Sequence, residues 1–316
     1  MARRDVVVFG GSGFIGRYLV RRLAQHGWRV IVAVRDPEGA RFLQPLGSVG
    51  QIVPVRTDIG DRASVDRVLA GAQAAVNLVG LLYERGRQSF RRIHVEGARN
   101  IAEAAAAAGA RRLVHISAIG ASLCSPAAYA RSKAAAEQAV CEAFTGATVV
   151  RPSIVFGAED RFFNLFGCLA VFSPVIPLFG GGTTRFQPVY VDDVAAGIVA
   201  ALEDETAPGR TYEFGGPAVY SFHQLMEVVR RETGRRVLLA PVPWLVGHLQ
   251  AALLQLLPAP LLTTDQLRLM QSDNVVAPGA LTLADLGIRP TTIEVIVPEY
   301  LSVYRRGGQR PHLRSS

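Results

Sequence analysis

The chain has 316 residues, 49% of them hydrophobic, enough apolar material for one large α/β unit or a nucleotide domain with a smaller companion, which excludes a disordered chain. It is basic, with 34 Lys plus Arg against 26 Asp plus Glu and a formal net charge of +8, but the arginines are scattered and no RNA- or DNA-binding motif accompanies them, so no nucleic-acid partner is expected. Cys124, Cys141 and Cys168 have no metal-ligand spacing, which points to a reducing compartment and no metal.

Met1 to Asp5 leads directly into a β-branched run, so no signal or transit peptide is expected before the first strand. Strands are predicted near 5–9, 29–34, 51–55, 74–79, 111–117 and 147–151, with helices near 14–26, 62–70, 90–108 and 127–144 between them. This is the alternation of a doubly wound parallel sheet covered on both faces. The alanine run at 104–108 continues a helix. After Arg151-Pro152 the texture changes, with Pro or Gly at 174, 177, 180, 181 and 182, then helices near 191–203, 221–233 and 263–271. The expected organisation is a nucleotide-binding domain over 1–155, a smaller C-terminal α+β domain over 156–304 interleaved with it, and a basic tail over 305–316.

The first strand runs into Gly10-Gly11-Ser12-Gly13-Phe14-Ile15-Gly16 and then a helix. Gly10 and Gly13 permit a tight turn and close approach of a pyrophosphate, Gly16 lets helix and strand pack closely, and the helix N-terminus faces the anion. With strand and helix both flanking the triplet, a dinucleotide site is expected. The second strand closes on Val34 and is followed at once by Arg35. A carboxylate there would accept the ribose hydroxyls of NAD, whereas a basic residue neutralises a 2′-phosphate, so NADP(H) is expected. Asp36, before Pro37, reads as a turn residue. Asp58 and Ile59 after the third strand, and Leu78, Val79 and Gly80 after the fourth, lie at strand C-termini, where adenine and ribose belong.

Lys133 is the single lysine among the 34 basic residues, four positions after Tyr129 in Tyr-Ala-Arg-Ser-Lys-Ala. Residues four apart share a helical face. An ammonium there favours the phenolate and can also hydrogen-bond a nicotinamide ribose. Together with the glycine turn and Arg151-Pro152-Ser153, this pair makes the chain resemble the short-chain dehydrogenase/reductase superfamily. Val189-Tyr190-Val191-Asp192-Asp193-Val194-Ala195 is similar to the extended and atypical branches, where it begins a helix of the smaller domain that Asp192 or Asp193 would cap. The active-site complement of such enzymes is incomplete here. In Ser117-Ala118-Ile119-Gly120, Ala118 stands where the resemblance places an assisting hydroxyl, with Ser117 at the structural position before it; Ser122 substitutes only if its loop folds back, and His94 replaces an asparagine common among relatives.

A closer resemblance covers nearly the whole chain. Val8 to Tyr18, Asn77 to Gly80, Tyr129 to Ala134, Arg151 to Phe162 with its Glu159-Asp160-Arg161-Phe162, Gln187 to Val191 and Asp285 to Ile288 resemble the nucleotide-binding accessory subunits of respiratory complex I, NADH:ubiquinone oxidoreductase. The resemblance implies a tightly held NADPH in a structural role, on the peripheral arm near the membrane junction and the quinone site. It implies other complex I subunits as partners and, for a bacterial version, the cytoplasmic face of the inner membrane. The cofactor-contacting set it implies is Gly10, Ser12, Gly13, Phe14, Ile15, Gly16, Arg35, Asp58, Ile59, Leu78, Val79, Gly80, Ser117, Tyr129, Lys133, Pro152 and Ser153, with Tyr129, Lys133 and Ser117 as vestiges of a catalytic group. The competing expectation is a soluble NADP-dependent reductase or epimerase-like enzyme using Tyr129 as proton donor.

Two stretches, Phe162–Phe179 and Trp244–Leu262, are apolar but broken by Gly, Pro or polar residues. Neither is an uninterrupted span of about twenty apolar residues, so transmembrane helices are not expected. Each reads either as internal core or as a surface facing partners or the membrane interface. The basic tail lacks a core-forming pattern and is expected to order only on an acidic partner or anionic lipid headgroups.

Overall fold

A computed structural model describes residues 4–307 apart from 87, 256, 258, 259 and 261, so Pro258 and the tail from 308 onward lie outside the described residues. The elements run β1 (Asp5–Phe9), α1 (Phe14–Gln25), β2 (Arg29–Val34), β3 (Ile52–Arg56), α2 (Arg62–Leu69), β4 (Ala74–Asn77), α3 (Gly97–Ala107), β5 (Arg112–Ile116), α4 (Ala128–Ala143) and β6 (Thr148–Pro152). There follow β7 (Val155–Phe156), α5 (Phe162–Phe172), β8 (Val175–Phe179), β9 (Arg185–Phe186), β10 (Val189–Tyr190), α6 (Val191–Glu203), β11 (Thr211–Phe214), β12 (Tyr220–Ser221), α7 (Phe222–Thr233), β13 (Leu238–Val242), α8 (Trp244–Leu254), α9 (Thr264–Leu269) and α10 (Ile293–Leu301).

The chain divides into two compact units. One comprises the residues through Pro152 with Val191–Phe214 and Pro278–Arg289; the other comprises Ser153–Tyr190, Gly215–Ala277 and the residues from Pro290 onward. The first crossing between the units falls between Pro152 and Ser153, where a boundary at 155 was expected. The returning segment belongs to the first unit because β11 pairs in parallel with β6, completing a sheet of order β11-β6-β5-β4-β1-β2-β3. The helix over 191–203 therefore belongs to the nucleotide unit and not to the smaller domain. Asp192 lies inside its first turn and does not cap it: the carboxylate accepts from Arg22 Nε and Nη2 at 2.8 and 2.7 Å and from Arg21 Nη2 at 3.0 Å, tying α6 to α1. Burial alone would raise the Asp192 carboxyl, but the two guanidinium groups hold it below the usual range.

Val6, Val7 and Val8 are all buried, as a strand covered on both faces requires, and each such side chain contributes about 1.5–3 kcal/mol. Small residues govern how closely the helices approach. Ala98, Ala102, Ala104 and Ala105 of α3 are buried against Val65 and Leu69 of α2 and Ala136 and Val140 of α4. The alanine run thus packs a helix interface as well as favouring helix.

Among its described residues the second unit holds three two-stranded ladders, β7 with β10, β8 with β13, and β9 with β12. Phe156, Phe163, Phe186 and Phe222 lie in its core, with Phe162 edge-on to Phe163 at 5.2 Å. Asp160, of the Glu-Asp-Arg-Phe segment, is buried. Its carboxylate accepts from Tyr300 Oη at 2.6 Å, Gly157 N at 3.1 Å and Asn164 N at 3.2 Å, fixing the start of α5. The apolar stretch 162–179 is divided: Phe163, Ala170, Ile176 and Leu178 are core, whereas Leu165, Val171, Val175 and Phe172, the last 83% exposed, face outward. In α8 only Gly247 and Ala251 are buried, while Leu245, Leu249 and Leu253, spaced by four, are exposed. Among the described residues no helix is long and apolar enough to cross a membrane.

Candidate functional site

The site of the first unit forms at the C-terminal ends of β1, β2, β4 and β5. Gly10 leaves β1 with φ +77°, a region where L side chains are strained. Gly16 is required by closeness: a Cβ there would sit 2.5 Å from the Gly11 carbonyl oxygen and 2.6 Å from that of Gly10. Gly13, with φ −74°, needs no special conformation and serves as the N-cap of α1, without a side-chain cap for the first-turn amides. Those amides can therefore serve an anion. Ser12, Phe14 and Ile15 complete this turn.

Arg35 is exposed just past β2 and has no ion-pair partner among the described residues. Asp36 is a turn residue, its carboxylate accepting from Gly39 N at 3.1 Å. Sequence reasoning missed Arg17, directly after Gly16, whose guanidinium lies over the Phe42 ring at 5.3 Å. Asp58 is exposed and accepts from Gly60 N at 2.9 Å, whereas the Ile59 side chain is core and its carbonyl accepts from Asn100 Nδ2 at 2.9 Å. The turn after β4 lies against the glycine turn, so that a Cβ on Gly10 would be 3.3 Å from Val79 Cγ2 and 3.4 Å from the Leu78 carbonyl carbon. Asn77 shapes that turn by accepting from Val79 N at 3.0 Å.

Beyond β5, Ser117 is buried, donates its N–H to the Val150 carbonyl at 2.7 Å, and keeps its Oγ without a hydrogen-bond partner among the described residues. A buried hydroxyl without a partner is what a cofactor-facing side chain leaves behind. Ala118 is partly exposed. The Ser122 backbone N–H donates to the Ala130 carbonyl of α4 at 3.3 Å, while its exposed Oγ accepts from Cys124 N at 3.3 Å. Pro152 ends β6 and accepts from Ile119 N at 3.0 Å. Ser153, the first residue of the second unit, donates its Oγ hydrogen to Asn274 Oδ1 at 2.7 Å.

Lys133 is buried, and its Nζ donates to the Ile116 carbonyl at 2.7 Å. Burial lowers its pKa to about 8, with Glu137 opposing the fall. The Tyr129 hydroxyl is pushed up to about 12 by burial. The helix carrying both residues is fixed at its far end by Arg151, which donates from Nε and Nη2 to Glu137 at 2.9 and 2.6 Å and lies 3.5 Å from Glu213.

His94 departs furthest from the sequence reading. It sits in a π turn, Arg91–Glu96, ahead of α3, buried, with Nε2 accepting from Leu81 N at 2.8 Å and Nδ1 2.8 Å from Ser132 Oγ. Burial, reinforced by the Lys133 ammonium, lowers its pKa to about 3. His115 in β5 is also buried and held neutral by burial, then by Lys133 and His94; its Nδ1 lies 3.2 Å from Asn77 Nδ2.

A glycine crook, an uncapped helix start, a free arginine at β2 and a buried hydroxyl without a partner together fit a dinucleotide. Residues 6–215 match the model of the NAD dependent epimerase/dehydratase family. The chain is also 40% identical over 316 residues, 95% of its own length and 78% of the other's, to the mitochondrial NADH dehydrogenase [ubiquinone] 1 alpha subcomplex subunit 9 of Arabidopsis thaliana. The chain belongs to the NAD dependent epimerase/dehydratase family, among the subunit 9 proteins. Another relative in sequence is the ceramide reductase of Caulobacter vibrioides, 40% identical over 200 residues that cover 63% of this chain and 61% of that one. In structure this family member superposes on the NADPH-dependent quinone oxidoreductase QOR2 of Escherichia coli, solved with NADPH, with a TM-score of 0.74 at 20% identity, covering 94% of this chain and 98% of the other. At that identity the likeness is one of fold.

Proposed function

We propose that this subunit 9 family member is an accessory subunit of respiratory complex I, NADH:ubiquinone oxidoreductase, that holds NADPH in a structural, non-catalytic role supporting assembly near the quinone-site junction. The observation that carries the reading is an intact nucleotide cradle beside a catalytic complement that lacks the assisting hydroxyl, Ala118 standing in its place. Gly10, Gly16, Arg35 and Ser117 offer binding groups. Arg35 favours the 2′-phosphate of NADPH over NADH. In a reductase the bound nucleotide supplies hydride; in this role it supplies binding energy, about 4 kcal/mol of fold stability when its free concentration is about a thousandfold above Kd. Lys133, the one ammonium in the cradle, attracts the anionic ligand and orders its ribose.

The proposed partners are the other subunits of the peripheral arm and membrane junction, and the proposed location is the cytoplasmic face of a bacterial inner membrane. Contact with anionic lipid is supported by Arg230, Arg231, Arg235 and Arg236, which line one concave surface with Leu238, itself 65% exposed. Isolation from the native membrane tests the whole reading: the protein should comigrate with the NADH-oxidising complex and release one NADPH per copy on denaturation. A free monomer in the soluble fraction would refute it.

A second reading, a soluble NADP-dependent reductase or epimerase-like enzyme, is favoured by the 40% identity to a ceramide reductase over 200 residues. It requires carbonyl turnover that Tyr129→Phe abolishes.

A further inference from the structure

We propose that His94 is the positioning residue of the nucleotide site, acting as its neutral Nδ1–H tautomer to fasten the backbone of Leu81 to the helix that carries Tyr129 and Lys133. The inference rests on the nucleotide-site reading above.

The hydrogen-bond pattern assigns every proton. Leu81 N–H is a donor only, so His94 Nε2, at 2.8 Å, carries a lone pair. Ser132 has a single hydroxyl hydrogen and gives it to the Tyr129 carbonyl at 2.7 Å, an acceptor only. His94 Nδ1, 2.8 Å from Ser132 Oγ, must therefore donate. The result is one chain of donors running from the Leu81 amide through the imidazole and the serine to the backbone of Tyr129. A second proton, on Nε2, would point at the Leu81 N–H and break the chain at its first link.

The surroundings hold the ring in this state. Phe90 stacks on it at 5.2 Å with 25° between planes, and the Tyr129 ring meets it edge-on at 5.6 Å. The charged group nearby is the Lys133 ammonium: a Cβ on Gly80 would lie 3.8 Å from Lys133 Nζ and 3.7 Å from His94 Nε2. The Tyr129 hydroxyl and His115, both neutral, are further titratable groups beside Lys133 and His94. The π turn brings the ring to this position by inserting one extra residue ahead of α3. Asparagine cannot span the same two partners, because its amide atoms stand at the Nδ1 and Cδ2 positions of imidazole and none reaches as far as Nε2.

The consequence for the site comes from Leu78, Val79 and Gly80, which immediately precede Leu81 and press on the glycine turn. His94 sets the distance between that wall and the one bearing Lys133, and it does so without touching the nucleotide.

Two measurements on the full chain test this. Long-range 1H–15N spectra of histidine-labelled protein, assigned by difference with His94→Gln, should show Nδ1 protonated and Nε2 bare from pH 8 down to pH 5; an Nε2–H tautomer, or an imidazolium forming near pH 6, overturns the proposal. NADPH titrations of two variants give the second readout. His94→Gln keeps an acceptor for Leu81 N–H and should bind within about threefold of wild type, while His94→Asn keeps only a donor toward Ser132 and should bind on the order of tenfold more weakly. Equal affinities for the two variants overturn the positioning role. A wild type that shows the Nδ1–H tautomer but binds neither NADPH nor NADH removes the nucleotide reading instead, and the positioning role with it.

Discussion

Lys133→Met should make the nucleotide-free protein more stable at neutral pH while abolishing tight NADPH binding. The ammonium is buried, and lowering its pKa from 10.5 to about 8 corresponds to roughly 3 kcal/mol of preference for the neutral amine. Substitution also removes the hydrogen bond to the Ile116 carbonyl, worth about 1.5–2 kcal/mol for a charged donor. The net gain is about 1 kcal/mol at pH 7, with methionine filling the space of the lysine stem. The pH dependence is more diagnostic than the size. The folded-state pKa lies below the unfolded one, so between pH 8 and 10.5 the unfolded chain keeps a proton that the folded chain has released, and wild-type stability rises through that window. Below pH 8 the penalty is present in full. Urea unfolding of both proteins without nucleotide at pH 7, 8, 9 and 10 should show the advantage of the Met variant shrinking above pH 8 and reversing by pH 10. Saturating NADPH should invert the order at pH 7, because only the wild type gains ligand stabilisation. A Met variant less stable than wild type at pH 7, or a difference that does not change with pH, would refute the claim that Lys133 is a charge held at a cost for a ligand.

Three further outcomes follow from other parts of the site. Gly16→Ala places a methyl within 2.6 Å of two backbone carbonyl oxygens and should destabilise the fold by about 1–3 kcal/mol, seen in thermal unfolding, although alanine is the better helix former. Arg35→Ala should weaken NADPH binding by on the order of tenfold and leave NADH nearly unchanged, measured by calorimetric titration of each; equal losses would mean that Arg35 does not read the 2′-phosphate. Arg151→Met leaves Glu137 and Glu213 facing each other with little solvent and should cost about 3 kcal/mol or more in chemical denaturation.

Much of the first unit was legible because its signals are local. The strands carry continuous β-branched runs, the helices a 3.6-residue apolar period, and the glycine turn a spacing that only a strand-turn-helix uses. Predicted bounds for β1 and β2 match those observed, and Asp36 proved to be the turn residue its neighbours suggest. The short ladders of the second unit were not legible, since strands of two to five residues such as β9 and β12 show no alternation long enough to read. Nor was the return of 191–214 to the first sheet, because no local pattern states which strand β11 will join.

By itself the sequence determined the doubly wound sheet, the dinucleotide crook, the free arginine after β2 and the helix that carries Tyr129 and Lys133. Tertiary structure alone decided what those residues are able to do. Spacing placed tyrosine and lysine on one face, and burial raised the phenol and lowered the amine, because taking either out of water disfavours its charged form. Likewise the histidine was visible in the sequence, but its two partners lie 13 and 38 residues away and meet it only in the folded chain.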